Sequence, residues 1–241
     1  MTDFTALKGA SILFDLDGTL VESAPDLIAA LNSVLIAEEL KPLLLEEARP
    51  FISRGAWWLL EWSIARAAMP VPATFAATLF ERFIVYYSAH IADNSHPFAG
   101  VIAALAVLKA AGAKLVVCTN KPTALSRSLL TKLGMVDMFD DILGIDAVTA
   151  AKPDAAHLIE AVRAVGGNLN RAIMVGDAGP DAGAARAAGI PLILVDFGYS
   201  EIPAIQLAPD ILLRHFGDLV DACLTLLDSA RVDSSTAGIS A

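Results

Sequence analysis

Residues 10–20 read Ala-Ser-Ile-Leu-Phe-Asp-Leu-Asp-Gly-Thr-Leu, an apolar run that ends on two carboxylates, Asp15 and Asp17, followed by Gly18. Paired acids one residue apart can serve as nucleophile and proton donor, or as ligands for a hard cation. Like charges held close disfavour each other's ionised form, so a cation or a shared proton is expected beside them. Three further groups carry comparable chemistry. Thr119-Asn120 offers a hydroxyl and a backbone N–H, Lys152 before Pro153 offers an ammonium, and Asp177 with Asp181 four residues on offers two carboxylates. Taken singly, each has an ordinary reading: Asp-Leu-Asp-Gly as a solvated turn, Lys-Pro as surface, Thr-Asn as a turn before a helix.

What makes the four a constellation is the elements that carry them. Ser11–Phe14 is too short for a helix and nearly continuously apolar, which predicts a strand buried on both faces of a parallel sheet. The spacing predicts further strands at Lys114–Thr119, Asp141–Gly144, Ala172–Gly176, Leu192–Val195 and Asp210–Leu213. Helices are predicted between them at 101–111, 124–133, 155–165 and 181–188, with a closing helix at 218–227. Asp15, Thr119 and Asp177 each follow such a strand, and ligands of α/β proteins bind at the carboxyl edge of the sheet. Four residues place Asp181 one helical turn from Asp177.

Between the first strand and residue 92 the pattern is helical only. Ser23-Ala-Pro-Asp opens a helix over 24–39, Trp57, Trp58 and Trp62 lie on another, and Phe75, Leu79, Phe83 and Tyr86 on a third. The fold expected is therefore an α/β, Rossmann-like parallel sheet core, residues 1–20 and 93–230, covered by helices on both faces. A small all-helical cap, 21–92, is inserted after the first strand, and 231–241 is expected to be an unstructured tail.

Composition narrows the function classes. The 241 residues carry 17 Lys and Arg against 27 Asp and Glu, a net charge of -10, which argues against broad nucleic-acid contact. Mean hydropathy is high, +0.60, yet the longest apolar runs fall short of the roughly 18–20 residues that span a bilayer. Two cysteines, Cys118 and Cys223, do not make a disulfide framework, and the first residues lack a signal-peptide pattern, so a cytoplasmic location is expected. No Walker A or dinucleotide fingerprint occurs. The four histidines, 90, 96, 157 and 215, fall outside the constellation.

Phe14-Asp-Leu-Asp-Gly-Thr-Leu-Val21, Thr119-Asn120, Lys152-Pro153 and Gly176-Asp177 with Asp181 resemble, in order, the four motifs of the haloacid dehalogenase-like hydrolases in their phosphatase form. Within that superfamily Ser23-Ala-Pro-Asp-Leu27, Arg54-Gly55 and Thr119-Asn-Lys-Pro122 resemble the phosphoglycolate phosphatase group. The resemblance implies a Mg²⁺-dependent phosphomonoester hydrolase acting on a small phosphorylated metabolite. Asp15 is then the nucleophile that becomes an aspartyl-phosphate, and Asp17 the general acid and base. Asp15, the Asp17 backbone carbonyl and Asp177 would hold the metal, with Asp181 on a metal-bound water.

Repulsion between the acids and a phosphate dianion is roughly 4 kcal/mol per unit-charge pair at about 4 Å and an effective dielectric near 20. One divalent ion and Lys152 would offset much of it. Lys152, Thr119 and the Asn120 N–H would cradle the phosphoryl oxygens. Arg54, with Gly55, is a candidate for the substrate's far end, a surface arginine being the alternative. Ala178 stands where relatives often carry a hydroxyl, which removes one outer hydrogen bond. Alternatives are a sugar-phosphate phosphatase, a phosphoglucomutase-like enzyme, a pyrophosphatase or a nucleotidase on the same core. A dehalogenase fits less well because it lacks an acid at the place of Asp17, and a non-catalytic binding protein would not need so costly a cluster.

Overall fold

The computed structural model describes residues 3–66 and 73–236. Strand β1 (Ser11–Phe14) is followed by a two-residue strand β2 (Val21–Glu22). The chain then runs through helices α1 (Ala24–Ala37), α2 (Leu45–Ala48), a 3-10 stretch over Arg49–Arg54, α3 (Ala56–Ala65) and α4 (Ala73–Ala89). Strand β3 (His96–Pro97) returns antiparallel to β2. From there strands and helices alternate: α5 (Val101–Ala110), β4 (Lys114–Cys118), α6 (Thr123–Lys132), β5 (Asp141–Leu143), α7 (Ala155–Ala164) and β6 (Ala172–Gly176). Helix α8 (Gly179–Ala188), β7 (Leu192–Val195), β8 (Ile211–Leu213) and α9 (Leu219–Thr236) complete it.

Six strands form one parallel sheet in the order β5-β4-β1-β6-β7-β8. The order reverses at β1, which puts a crevice at the carboxyl ends of β1, β4 and β6. Register fixes what lies there. Phe14 pairs with Val117 on one side and Val175 on the other, so Asp15 is level with Cys118 and Gly176, and Thr119 and Asp177 follow one residue beyond.

Alternation along the strands sorts the core into two layers. Ile12, Phe14, Leu115, Val117, Ile173 and Val175 face one side, in a cluster that continues into the helices between β2 and β3. Leu13, Val116, Cys118 and Met174 face the other, against Leu158 and Ala161 of α7 and Ala182 and Ala185 of α8. Both faces are covered, which is why β1 can be buried at every position and apolar from Ile12 to Phe14. Ala182, Ala184 and Ala185 on α8 are buried and let that helix lie close to the sheet.

Three expectations are corrected. The segment 21–92 was expected to hold helices only, but β2 pairs with β3 across its base. A two-residue ladder is too short to leave a period in the sequence. Helix α8 begins at Gly179 rather than Asp181 because Pro180 falls in the first turn, where its missing N–H costs nothing. The stretch from 231 was expected to be unstructured, but α9 continues to Thr236, while 237–241 lie outside the described residues. Among the described residues no helix is long and apolar enough to cross a membrane.

Candidate active site

The ladder that builds the sheet also aims Asp15. Its N–H donates to the Val175 carbonyl at 2.9 Å, continuing the pairing of β1 with β6. Its Oδ1 accepts from the Leu16 N–H at 2.8 Å and lies 3.0 Å from Lys152 Nζ. Lys152 Nζ is also 2.7 Å from Asp181 Oδ1. The second Asp181 oxygen accepts from the Asp177 and Ala178 N–H groups, each at 3.1 Å, which satisfies the open amides at the start of α8. Asp177 Oδ1 accepts from the Thr19 hydroxyl at 2.7 Å and Oδ2 from the Tyr199 N–H at 2.7 Å. Carboxylate oxygens of Asp15, Asp177 and Asp181 lie within 4.8 Å of one another.

The closeness is built in by glycines. At Gly18, with φ +84°, a Cβ would stand 2.7 Å from Asp177 Oδ2, and at Gly176 it would stand 2.3 Å from Asp181 Cγ. Any side chain at either place would push an acid out of the cluster.

Electrostatics follow from this geometry. Burial pushes the Asp15 carboxyl up to about 6, against the pull of Lys152 and with Asp181 adding to it. Burial, then Asp181 and Asp15, hold the Asp177 carboxyl well above its ordinary value. Burial alone would lower the Lys152 ammonium, but Asp15 and Asp181 outweigh it and hold it above the ordinary lysine value. A buried set of hard oxygen donors with one lysine is short of positive charge, and it fits a small divalent cation such as Mg²⁺.

Asp17 is placed differently. Its carboxylate stands apart from the three-acid cluster, accepting from the Ser23 hydroxyl at 2.5 Å and from Lys121 Nζ at 3.0 and 3.2 Å. Lys121 Nζ also donates to the Tyr87 hydroxyl oxygen at 2.6 Å. Asn120 has a role beyond its backbone: its side-chain amide donates to the Lys152 carbonyl at 2.9 Å and accepts from the Lys152 N–H at 3.1 Å, so it fixes the stem of the lysine. Thr119 is buried, its N–H donates to the Leu143 carbonyl at 3.1 Å, and its hydroxyl accepts from the Lys121 N–H at 3.2 Å.

A cavity of about 410 Å³ opens above these groups. Asp15, Asp17, Thr119, Asn120, Lys121, Lys152, Asp177 and Asp181 line its polar end, and Trp57, Phe80, Phe83, Ile84, Leu125 and Ile145 its apolar wall. Arg54 and Gly55 also line it, but the Arg54 fork is bound by both Glu201 oxygens, at 2.5 and 2.7 Å, and its guanidinium lies 4.6 Å from the Trp58 ring centre. Gly55 sits at φ +92°, turning the chain from the 3-10 stretch into α3.

Sequence reasoning gave Lys121 no role beyond its place in Thr119-Asn-Lys-Pro122, and it missed Tyr87 and Tyr199. Tyr199 is buried, its hydroxyl accepts from the Ser23 and Ala24 N–H groups at 2.8 and 2.9 Å and donates to Glu22 at 2.6 Å. One residue thus braces both Asp177 and the start of α1. Its signal in the sequence was only its place in the loop after a strand, Phe197-Gly-Tyr199.

The description "haloacid dehalogenase-like hydrolase" belongs to the family model that matches residues 12–195. A protein named phosphoglycolate phosphatase from Caulobacter vibrioides is 50% identical over 229 residues, covering 95% of this chain and 97% of that one. Another of that name, from Agrobacterium fabrum, is 38% identical over 90% of this chain and 93% of its own. A crystal structure described as a predicted phosphoglycolate phosphatase from Haemophilus somnus superposes with a TM-score of 0.83 at 29% identity, covering 90% of this chain and 98% of that one. With strands, acids and lysine in the order and places set out above, the chain belongs to the haloacid dehalogenase-like hydrolases.

Proposed function

We propose that the chain is a Mg²⁺-dependent phosphomonoester hydrolase whose substrate is phosphoglycolate, the helical segment over 21–92 acting as a cap on the α/β core. The observation that carries this reading is the convergence of Asp15, Lys152, Asp177 and Asp181 at one sheet edge, under a cavity large enough for a small phosphate ester. The relatives' names supply the substrate.

In this reading a carboxylate oxygen of Asp15 attacks phosphorus and the ester oxygen departs with a proton from Asp17, leaving an aspartyl-phosphate. Water then attacks phosphorus, Asp17 takes its proton, and the Asp15 carboxylate is released with inorganic phosphate. Lys152, braced by Asn120, and Thr119 hold the phosphoryl oxygens, where positioning and charge supply most of the acceleration. Asp15, Asp177 and the Asp17 backbone carbonyl would hold Mg²⁺, with Asp181 beside them, tied to Lys152 and to the Asp177 and Ala178 N–H groups. When bound, the ion neutralises charge that the single lysine leaves uncovered. Substitution of Asp15 tests the assignment. Asp15→Asn is expected to keep the fold, by circular dichroism, and to release no phosphate from phosphoglycolate with Mg²⁺; near-normal release would reject Asp15 as nucleophile.

The breadth of the apolar wall favours a second reading, a bulkier leaving group. A panel of phosphoglycolate, sugar phosphates, nucleotides and pyrophosphate separates the two by kcat/KM.

A further inference from the structure

Among the described residues three cations line the cavity: Lys152, Arg54 and Lys121. Lys152 lies at the phosphoryl end between two acids, and the Arg54 fork is taken by Glu201. Lys121 is the cation on the leaving-group side, beside Asp17. An ammonium has three N–H donors. At Lys121 the two oxygens of the single Asp17 carboxylate, 3.0 and 3.2 Å away, can share one and the Tyr87 oxygen takes another, which leaves a third for a ligand.

Tyr87 adds a second open donor. Its hydroxyl accepts from Lys121, and among the described residues no acceptor takes its own proton. Both residues are buried, Lys121 8% and Tyr87 1% exposed. Two buried donors with uncommitted hydrogens, 2.6 Å apart, facing an otherwise apolar wall of Phe80, Phe83 and Leu125, match a carboxylate better than a neutral group. Leaving them unpaired in a desolvated complex costs free energy, and so does burying a carboxylate with no cation.

We propose that Lys121 and Tyr87 form the receptor for a carboxylate on the leaving group, and so determine specificity for phosphorylated hydroxy acids. This rests on the functional reading above and deepens it. Asp17 would give its proton to the ester oxygen, and in glycolate the carboxylate stands one methylene from that oxygen, within reach of the ammonium that contacts Asp17. One side of the receptor comes from α4 and the other from the loop after β4, so it is complete only when the helical segment sits over the sheet.

The test compares phosphoglycolate with its neutral amide as substrates, and glycolate with glycolamide as inhibitors. Wild type is expected to favour the acid in kcat/KM by about a hundredfold and to bind glycolate more tightly than glycolamide, the scale of a charge-assisted hydrogen bond. Lys121→Met is expected to bring the acid and amide within a few-fold of each other, and Tyr87→Phe to cut the preference about tenfold. Loss of Asp17's partner slows both substrates alike, so the ratio reads the receptor and not the brace. Equal rates on acid and amide in wild type, or an unchanged ratio in a folded Lys121→Met or Tyr87→Phe, would overturn the inference while leaving the phosphatase intact. Should Lys121→Met not fold, the wild-type ratio and inhibitor pair with Tyr87→Phe decide the matter. Wild type that hydrolyses neither compound but does hydrolyse other phosphate esters overturns the substrate reading itself.

Discussion

Removing the charge of Asp15 is expected to stabilise the metal-free protein. The carboxyl of Asp15 rises from 3.8 to about 6 on folding, chiefly by burial. A group whose folded value is raised binds its proton more tightly in the native state, so the stability it contributes is full below about 4 and is lost as pH rises through 6. At 1.36 kcal/mol per unit, a difference near 2 is worth about 3 kcal/mol above that range. Asn imitates the neutral acid and can still accept the Leu16 N–H. In EDTA at pH 8, Asp15→Asn should therefore be more stable than wild type by about 3 kcal/mol, or roughly 6–12 °C in Tm for a chain of this size. Near pH 4 the two should converge. His157, buried and held down at about 4, tilts each curve the other way, so the quantity to read is the difference between variants at each pH. Saturating Mg²⁺ should shrink or invert it, since wild type then gains a ligand that the variant binds poorly. A variant less stable than wild type at pH 8 in EDTA would mean that the Lys152 pair outweighs burial, and the electrostatic account of the site would fail.

Lys152→Met leaves Asp15 and Asp181 without the ammonium between them. It is expected to lower kcat on phosphoglycolate by about 10²–10³ and, in EDTA, to cost more stability at pH 8 than at pH 5, by urea unfolding. Tyr199→Phe strands the buried Ser23 and Ala24 N–H groups and should cost about 2–4 kcal/mol. Its contact with Asp177 is through the backbone N–H, so the Mg²⁺ concentration for half-maximal activity should not move. A shift there would place the Tyr199 hydroxyl in the metal site.

Residues at strand ends were legible because two patterns coincide there. An apolar run short enough to be only a strand fixes a direction, and the polar residue that ends it must then stand at the sheet's carboxyl edge. Asp15, Thr119 and Asp177 follow this rule, and Asp181 follows from helical spacing. The burial and pairing of Lys121 were not legible. A lysine two residues past a strand reads as solvent-exposed, since lysine is rarely buried unless paired. Its pairing depends on Asp17, 104 residues away, and Tyr87, 34 away. The same holds for Arg54, whose surface or substrate role turned on Glu201, 147 residues along the chain.

These misses share a cause that bears on how the site is assembled. Asp15, Thr119 and Asp177 have their positions set by the sheet, whose register is local to a strand and its neighbours. The residues whose partners the sequence did not reveal join the segment over 21–92 to the α/β core: Lys121 through Tyr87, Tyr199 through Ser23 and Ala24, Arg54 through Glu201. Periodicity carries no record of contacts between two units that fold on different patterns. On the reading proposed above, the phosphoryl chemistry is set by groups at the strand ends, and the choice of leaving group by Lys121 and Tyr87, a pair that joins α4 to the loop after β4.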